Sequence, residues 1–237
     1  MTTNSNWCVF KEPRGFVKLL ELTLCVAALA VFSTYTGTGS LTVYAKNSTA
    51  AHATPTSYAF TVEYWFTASE YKFEPNVGGI IGTDEYQIHA EFYSGVGVLA
   101  FFYVLGIGVC YLFLEARLSR HKLTRYFQVD FLFTLVVAIL WLAATAVWTQ
   151  GAVGVQDTVN DTFQRVQSYL NCTTSSTSYV RTCNTNKPSY GKLWGTVAFG
   201  FLNVFLWGFN GWFTFKETPW FTSKMGKTSA KDRLPAV

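Results

Sequence analysis

Four stretches of the chain stay apolar over about 20 residues, and the segments between them do not. They run from Gly15 to Tyr35, from Ser94 to Leu114, from Val129 to Thr149 and from Leu193 to Phe215. At roughly 1.5 Å per residue, about 20 helical residues cross a hydrocarbon core of about 30 Å. Inside lipid the backbone must satisfy its own hydrogen bonds, so each stretch predicts a helix. The pattern predicts an all-α membrane protein, an antiparallel bundle of four transmembrane helices. Segment 1–14 precedes the first span and segment 216–237 follows the last. Residues 15–215 hold the spans and their connections, 36–93, 115–128 and 150–192.

The longest connection has a pattern of its own. Tyr58, Phe60, Val62, Tyr64 and Phe66 alternate as one face of a strand does, and so do Tyr86, Ile88, Ala90 and Phe92. Leu41, Val43 and Ala45 predict a third strand, and Tyr71 with Phe73 a short fourth. Pro55, Pro75 and Gly78-Gly79 fall as breaks between them. Two readings stay open: a small antiparallel sheet in the first loop, or an extended aromatic loop lying in the membrane interface.

Composition agrees with a bilayer as solvent. Residues are 50% hydrophobic, 18% aromatic and only 14% charged, against roughly 25% charged in a soluble chain. This excludes a disordered chain, a coiled coil and most soluble enzymes. The small net charge of +4 matters less than where it lies. Twelve of the 18 basic residues fall in the amino-terminal flank, the short 115–128 hairpin and the tail, which places those parts in the cytoplasm. Both termini are then cytoplasmic, and loops 36–93 and 150–192 are lumenal. Ala28-Leu29-Ala30 also fits a signal-peptidase site, but the apolar run continues past it and contains Glu21.

The candidate sites follow from this topology. Asn47, Asn160 and Asn171 each begin an N-glycosylation sequon, and all three fall in the lumenal loops. Cys172 and Cys183 lie eleven positions apart in the second of those loops, where an oxidising lumen favours a disulfide. Cys25 and Cys110 read as apolar filler within spans, and Cys8 as a cytosolic thiol. Lys18 and Glu21 share a helical face near the first span's cytoplasmic end, with Asp130 at the matching end of the third. They predict interfacial ion pairs, with Lys18 snorkelling to water. Thr196, Gly200, Asn203, Trp207, Asn210 and Thr214 recur at three- and four-residue intervals, with Gly211 beside them. That stripe predicts a helix-packing or partner face, within the bundle or between subunits, with a pore lining as the sharper alternative. Trp148 and Trp194 fall where interfacial anchors sit. The glycine pairs Gly95/Gly97 and Gly106/Gly108 fit helix packing better than nucleotide binding. His52, His89 and His121 are scattered, and no nucleophile with a base, phosphate loop or metal set assembles. The chain reads as a non-enzyme without cofactor, metal or nucleic-acid partner.

The chain resembles the synaptophysin family of tetraspan vesicle proteins, which carry the MARVEL-type four-helix domain. The resemblance rests on Lys11-Glu12-Pro13-Arg14-Gly15-Phe16-Val17-Lys18, Ala90-Glu91-Phe92 with Ala100-Phe101, and Asp130-Phe131-Leu132 with Trp141-Leu142 and Trp148. Its most specific block is Phe199-Gly200-Phe201-Leu202-Asn203, Trp207, Asn210, Trp212-Phe213 and Phe215-Lys216-Glu217-Thr218 before Trp220. The chain resembles a divergent member: Ala45 stands where the family's first loop has cysteine, and the tail lacks tyrosine- and glycine-rich repeats. The Cys172–Cys183 pair is similar to the family's second-loop disulfide. The resemblance implies a protein of synaptic or other transport vesicles that organises the membrane in trafficking and exocytosis. It further implies homo-oligomers, association with cholesterol, lateral binding of a synaptobrevin-like vesicle SNARE, and association with the vacuolar proton pump. An oligomeric channel or transporter is the alternative. A claudin-like junctional role fits less well, because claudins carry paired cysteines in the first loop and this chain has none there.

Overall fold

The computed structural model describes residues 13–47, 56–63, 86–113, 120–169, 172 and 179–221. Its elements, in chain order, are α1 (Pro13–Ser33), β1 (Thr36–Asn47), β2 (Thr56–Glu63), α2 (Gln87–Phe113), α3 (Arg120–Tyr169), β3 (Tyr179–Asn186) and α4 (Gly191–Glu217). All four helices are long and apolar enough to cross a membrane. The described residues fall into two compact units. One holds α1 to Ala30, α2 from Tyr93, α3 to Ala146 and α4 from Val197; the other holds residues 31–92 and 147–196.

In the first unit, each helix turns a stripe at three- and four-residue spacing to the interior. Cys25 and Ala28 of α1 are buried, as are Tyr93, Val96, Ala100 and Val104 of α2. Val137, Trp141 and Ala144 of α3 join Val197 and Trp207 of α4. Tyr93 meets Trp141 edge-on at 5.6 Å between ring centroids, a favourable aromatic geometry. The Cys25 thiol donates to the Gly97 carbonyl at 3.0 Å, and α2 comes close there because Gly97 has no side chain. Gly200 does the same for α4: a Cβ there would stand 2.6 Å from the Thr145 hydroxyl oxygen and 2.9 Å from its methyl.

The second unit contains a three-stranded antiparallel sheet in the order β2-β1-β3. β1 is central, pairing Thr36 with Glu63 and Val43 with Thr56 on one side. On its other side Ser40 pairs with Asn186 and Asn47 with Tyr179. The sheet thus draws its third strand from the 150–192 connection, not from the first loop alone. The expected strand over Tyr86–Phe92 is helical instead, with α2 starting at Gln87. That segment joins the apolar span without a break, so it extends a helix whose costly first turn is already formed. The burial pattern is helical too: Ala90 and Tyr93 are inside while Ile88 is 69% exposed. The pair Tyr71 and Phe73, and the ends of the expected Tyr58–Phe66 strand beyond Glu63, lie outside the described residues.

The third helix also outruns its expected span of 129–149. Its 50 residues give a rod of about 75 Å, more than twice a hydrocarbon core. Ala152, Val155, Val159 and Phe163 carry the buried stripe onward, so an apolar face sustains the helix after its outward side stops being apolar. Beyond its end, Cys172 is bonded to Cys183 of β3, with Cα atoms 5.4 Å apart. The disulfide thus ties β3 to the segment that follows α3, at a residue that pairs in register with Val43 of the central strand.

Two substitutions test this packing. Gly200→Leu should destabilise the purified protein by about 1–3 kcal/mol, while Gly208→Leu, where a Cβ meets nothing, should leave its melting temperature unchanged. Equal melting of the two variants would contradict the close approach of α4. Cys172→Ser should lower the second unit's stability by about 3 kcal/mol, seen as faster hydrogen exchange at β1 and β3 amides. Unchanged exchange would mean that the disulfide does not hold that edge.

Candidate functional site

The polar groups of the first unit converge on one ammonium. Lys18 is only 2% exposed, although it lies in the second turn of α1. Its Nζ is 3.1 Å from Glu21 Oε2, one helical turn away, and 3.8 Å from Asp130 Oδ1 of α3. Tyr103 of α2 and Trp207 of α4 each place a ring centroid 5.2 Å from it. A desolvated cation over an aromatic face gains about 2 kcal/mol or more, so two such faces offset part of the lost hydration.

The carboxylates have partners of their own. Asn210 Nδ2 donates to Glu21 Oε1 at 2.8 Å. The Tyr103 hydroxyl donates to Asp130 Oδ1 and the Tyr111 hydroxyl to Asp130 Oδ2, the latter at 2.9 Å. Thr134, one turn beyond Asp130, lies 3.4 Å from the Tyr103 oxygen. Every helix therefore contributes. α1 supplies the cation and one acid, α3 the second acid, α2 two phenols, and α4 an amide and an indole.

Lys18, Glu21 and Asp130 lie at ion-pair distances, and all three are buried within the unit. Glu21 is fully buried and Asp130 is 1% exposed, and the ammonium points inward where snorkelling would carry it out. The reason is geometric: the two rings and two acids lie on the inner faces of neighbouring helices, and the lysine stem reaches them. Trp148 is also misplaced by the sequence reading. It is wholly buried, packs edge-on against Phe32 at 5.3 Å and donates its indole N–H to Thr196 at 2.7 Å. Trp194 keeps the anchoring geometry, 40% exposed with its indole donating to Gln156 at 3.0 Å.

The α4 stripe faces the chain's own helices. Gly200 meets Thr145 of α3 and Tyr93 of α2. Asn203 donates to Phe199 O at 2.9 Å and, at 3.5 Å, to Leu24 O of α1. Asn210 and Trp207 join the charge cluster, and Gly211 lies beside Thr134. The surface left to a lateral partner is the opposite one, where Phe205 and Phe209 are 65% and 64% exposed. Of the sequon asparagines, Asn47 ends β1 and Asn160 lies within α3; Asn171 falls outside the described residues, as does Cys8. Cys25 is buried and Cys110 half-buried.

Tyr103, Tyr111 and Thr134 escaped the sequence reading. A signal was present in the eight-residue spacing of the two tyrosines, two turns along one face, opposite a carboxylate that needs donors when buried. Among the described residues no group of three histidine, cysteine or acidic side chains is arranged for a metal. The arrangement stores charge and fixes helix rotation.

Four apolar helices closed around a shared polar cluster define a multi-pass integral membrane protein. Residues 9–213 match the MARVEL family, described as a membrane-associating domain, and the chain belongs to that family.

Removing the cation tests the site. Lys18→Met should destabilise the protein by about 3–5 kcal/mol, because the buried acid groups of the cluster lose their only cation. The thermal midpoint in mild detergent is the readout, and a variant as stable as the parent would show that the cluster does not hold the bundle.

Proposed function

We infer that the protein is a non-enzymatic organiser of transport-vesicle membranes, acting by homo-oligomerisation and by lateral binding of a synaptobrevin-like vesicle SNARE. Family membership and the sequence resemblance in α4 support this reading. The observation that carries it is the division of each helix into two faces. Polar residues of α4 are spent inside, and the outward surface is a continuous set of Phe201, Leu202, Phe205, Phe209, Trp212 and Phe213. Such a surface can meet lipid, a sterol or a single transmembrane helix, and it offers nothing to a soluble substrate. In this reading both termini and the basic 115–128 hairpin face the cytoplasm, and the sheet with its sequons faces the lumen. Cholesterol and the vacuolar proton pump are further associations of the same kind.

A channel through one protomer fits the geometry less well. Trp141, Trp207, Tyr93 and Tyr111 are fully buried and fill the interior where a water path would run.

Epitope-tagged protein on isolated vesicles should co-purify with synaptobrevin after mild solubilisation. Phe205→Ala with Phe209→Ala should reduce the recovered SNARE several-fold without changing the thermal midpoint. Recovery unaffected by the double substitution would reject this face, and absence of the SNARE from the parent's own complexes would reject the partner.

A further inference from the structure

Three charged side chains are buried among the described residues, and they do not balance: Lys18 faces both Glu21 and Asp130. An uncompensated charge in a dry interior is so costly that such sites are neutralised, normally by a proton. The remaining question is which carboxyl takes it. Asp130 accepts a phenol O–H at each oxygen, an arrangement that disperses and holds a full negative charge. Glu21 has no phenol partner, only the Asn210 amide of α4 at Oε1 and Lys18 of its own helix near Oε2. Around that lysine stand Tyr103 of α2, Asp130 of α3 and Trp207 of α4, and Cys25 lies one turn further along α1.

The second observation is an orphan acceptor. Asn210 is wholly buried and its Oδ1 has no hydrogen-bond partner, while its amide nitrogen lies 2.8 Å from Glu21 Oε1. An amide turned over about its terminal bond would serve that contact with opposite polarity. A protonated Oε1 then donates to Oδ1, giving the amide oxygen the bond it lacks, and Oε2 keeps its 3.1 Å ion-pair distance to Lys18.

We propose that the folded protein binds one proton on Glu21, shared with the Asn210 amide, leaving Lys18 and Asp130 as the ion pair inside the bundle. The cluster is then electrically neutral. Glu21 is a proton-binding site in the membrane-embedded unit, and it does not serve as a second counter-ion to the lysine.

Infrared spectroscopy of the full-length protein in nanodiscs at neutral pH tests this, with glutamate carboxyls labelled with carbon-13. A protonated carboxylic acid gives a carbonyl band clear of the carboxylate bands. We expect one such band that moves on labelling and on exchange into D2O, and that disappears in Glu21→Gln. Glutamate absorption confined to carboxylate bands overturns the proposal, and this labelled parent spectrum decides the matter even if a variant does not fold. Stability provides the second arm, because glutamine reproduces a neutral acid's donor and acceptor. Glu21→Gln should melt within about 2 °C of the parent, while Asp130→Asn, which removes a true anion, should fall by on the order of 10 °C. Equal losses from the two substitutions overturn it.

Discussion

An ammonium withdrawn from water imposes the arrangement of the four helices. In lipid, apolar packing discriminates weakly between helix partners and rotations, since a neighbouring helix is little more attractive than an acyl chain. A buried Lys18 does discriminate. It requires acid groups and ring faces at short range, and here they come from Glu21 on its own helix, Tyr103 on α2, Asp130 on α3 and Trp207 on α4. Rotating any one of these helices by a single residue, about 100°, would remove its contribution. The cost of burying charge is thus turned into a statement of which face of each helix must look inward.

The same demand explains the sorting of the remaining polar groups. Asn203, Asn210, Thr196 and Thr214 are inside because the helix surface in contact with lipid has no partner for an amide or hydroxyl. Thr214 answers to the carbonyl of Asn210 at 3.0 Å, and Thr196 to that of Leu193 at 2.6 Å. What is left outside is apolar and rich in phenylalanine. Among the described residues, the outward face of α4 presents shape and aromatic surface to whatever surrounds it.

The four spans and the existence of a charged face were legible in the sequence, because apolar length and three-four spacing depend only on local order. Lys18, Glu21 and the α4 stripe were found by spacing alone. The burial of Lys18 was not, since whether a lysine snorkels or turns inward is decided by side chains on the other helices. Tyr103 and Tyr111 left only the faint signal of their spacing, because a tyrosine in a span reads as an ordinary aromatic until the acid that it serves is located. Alternation misled at Tyr86–Phe92, where every second residue is apolar by accident of a helix entering the bilayer. The start of the 150–192 connection carried the helical period openly, where Ala152, Val155, Val159 and Phe163 mark the extension of α3.

The strand order has a consequence for the protein's synthesis. β1 and β2 leave the ribosome close together, but the strand that covers the other edge of β1 emerges only after the 131 residues from 48 to 178 have been made. At about 5–20 residues per second that interval is on the order of ten seconds. During it a twelve-residue edge with free backbone groups stands open to any passing strand. Quality-control machinery has a simple mark of unfinished insertion in that edge, which is capped once the helices on both sides of β3 have been placed.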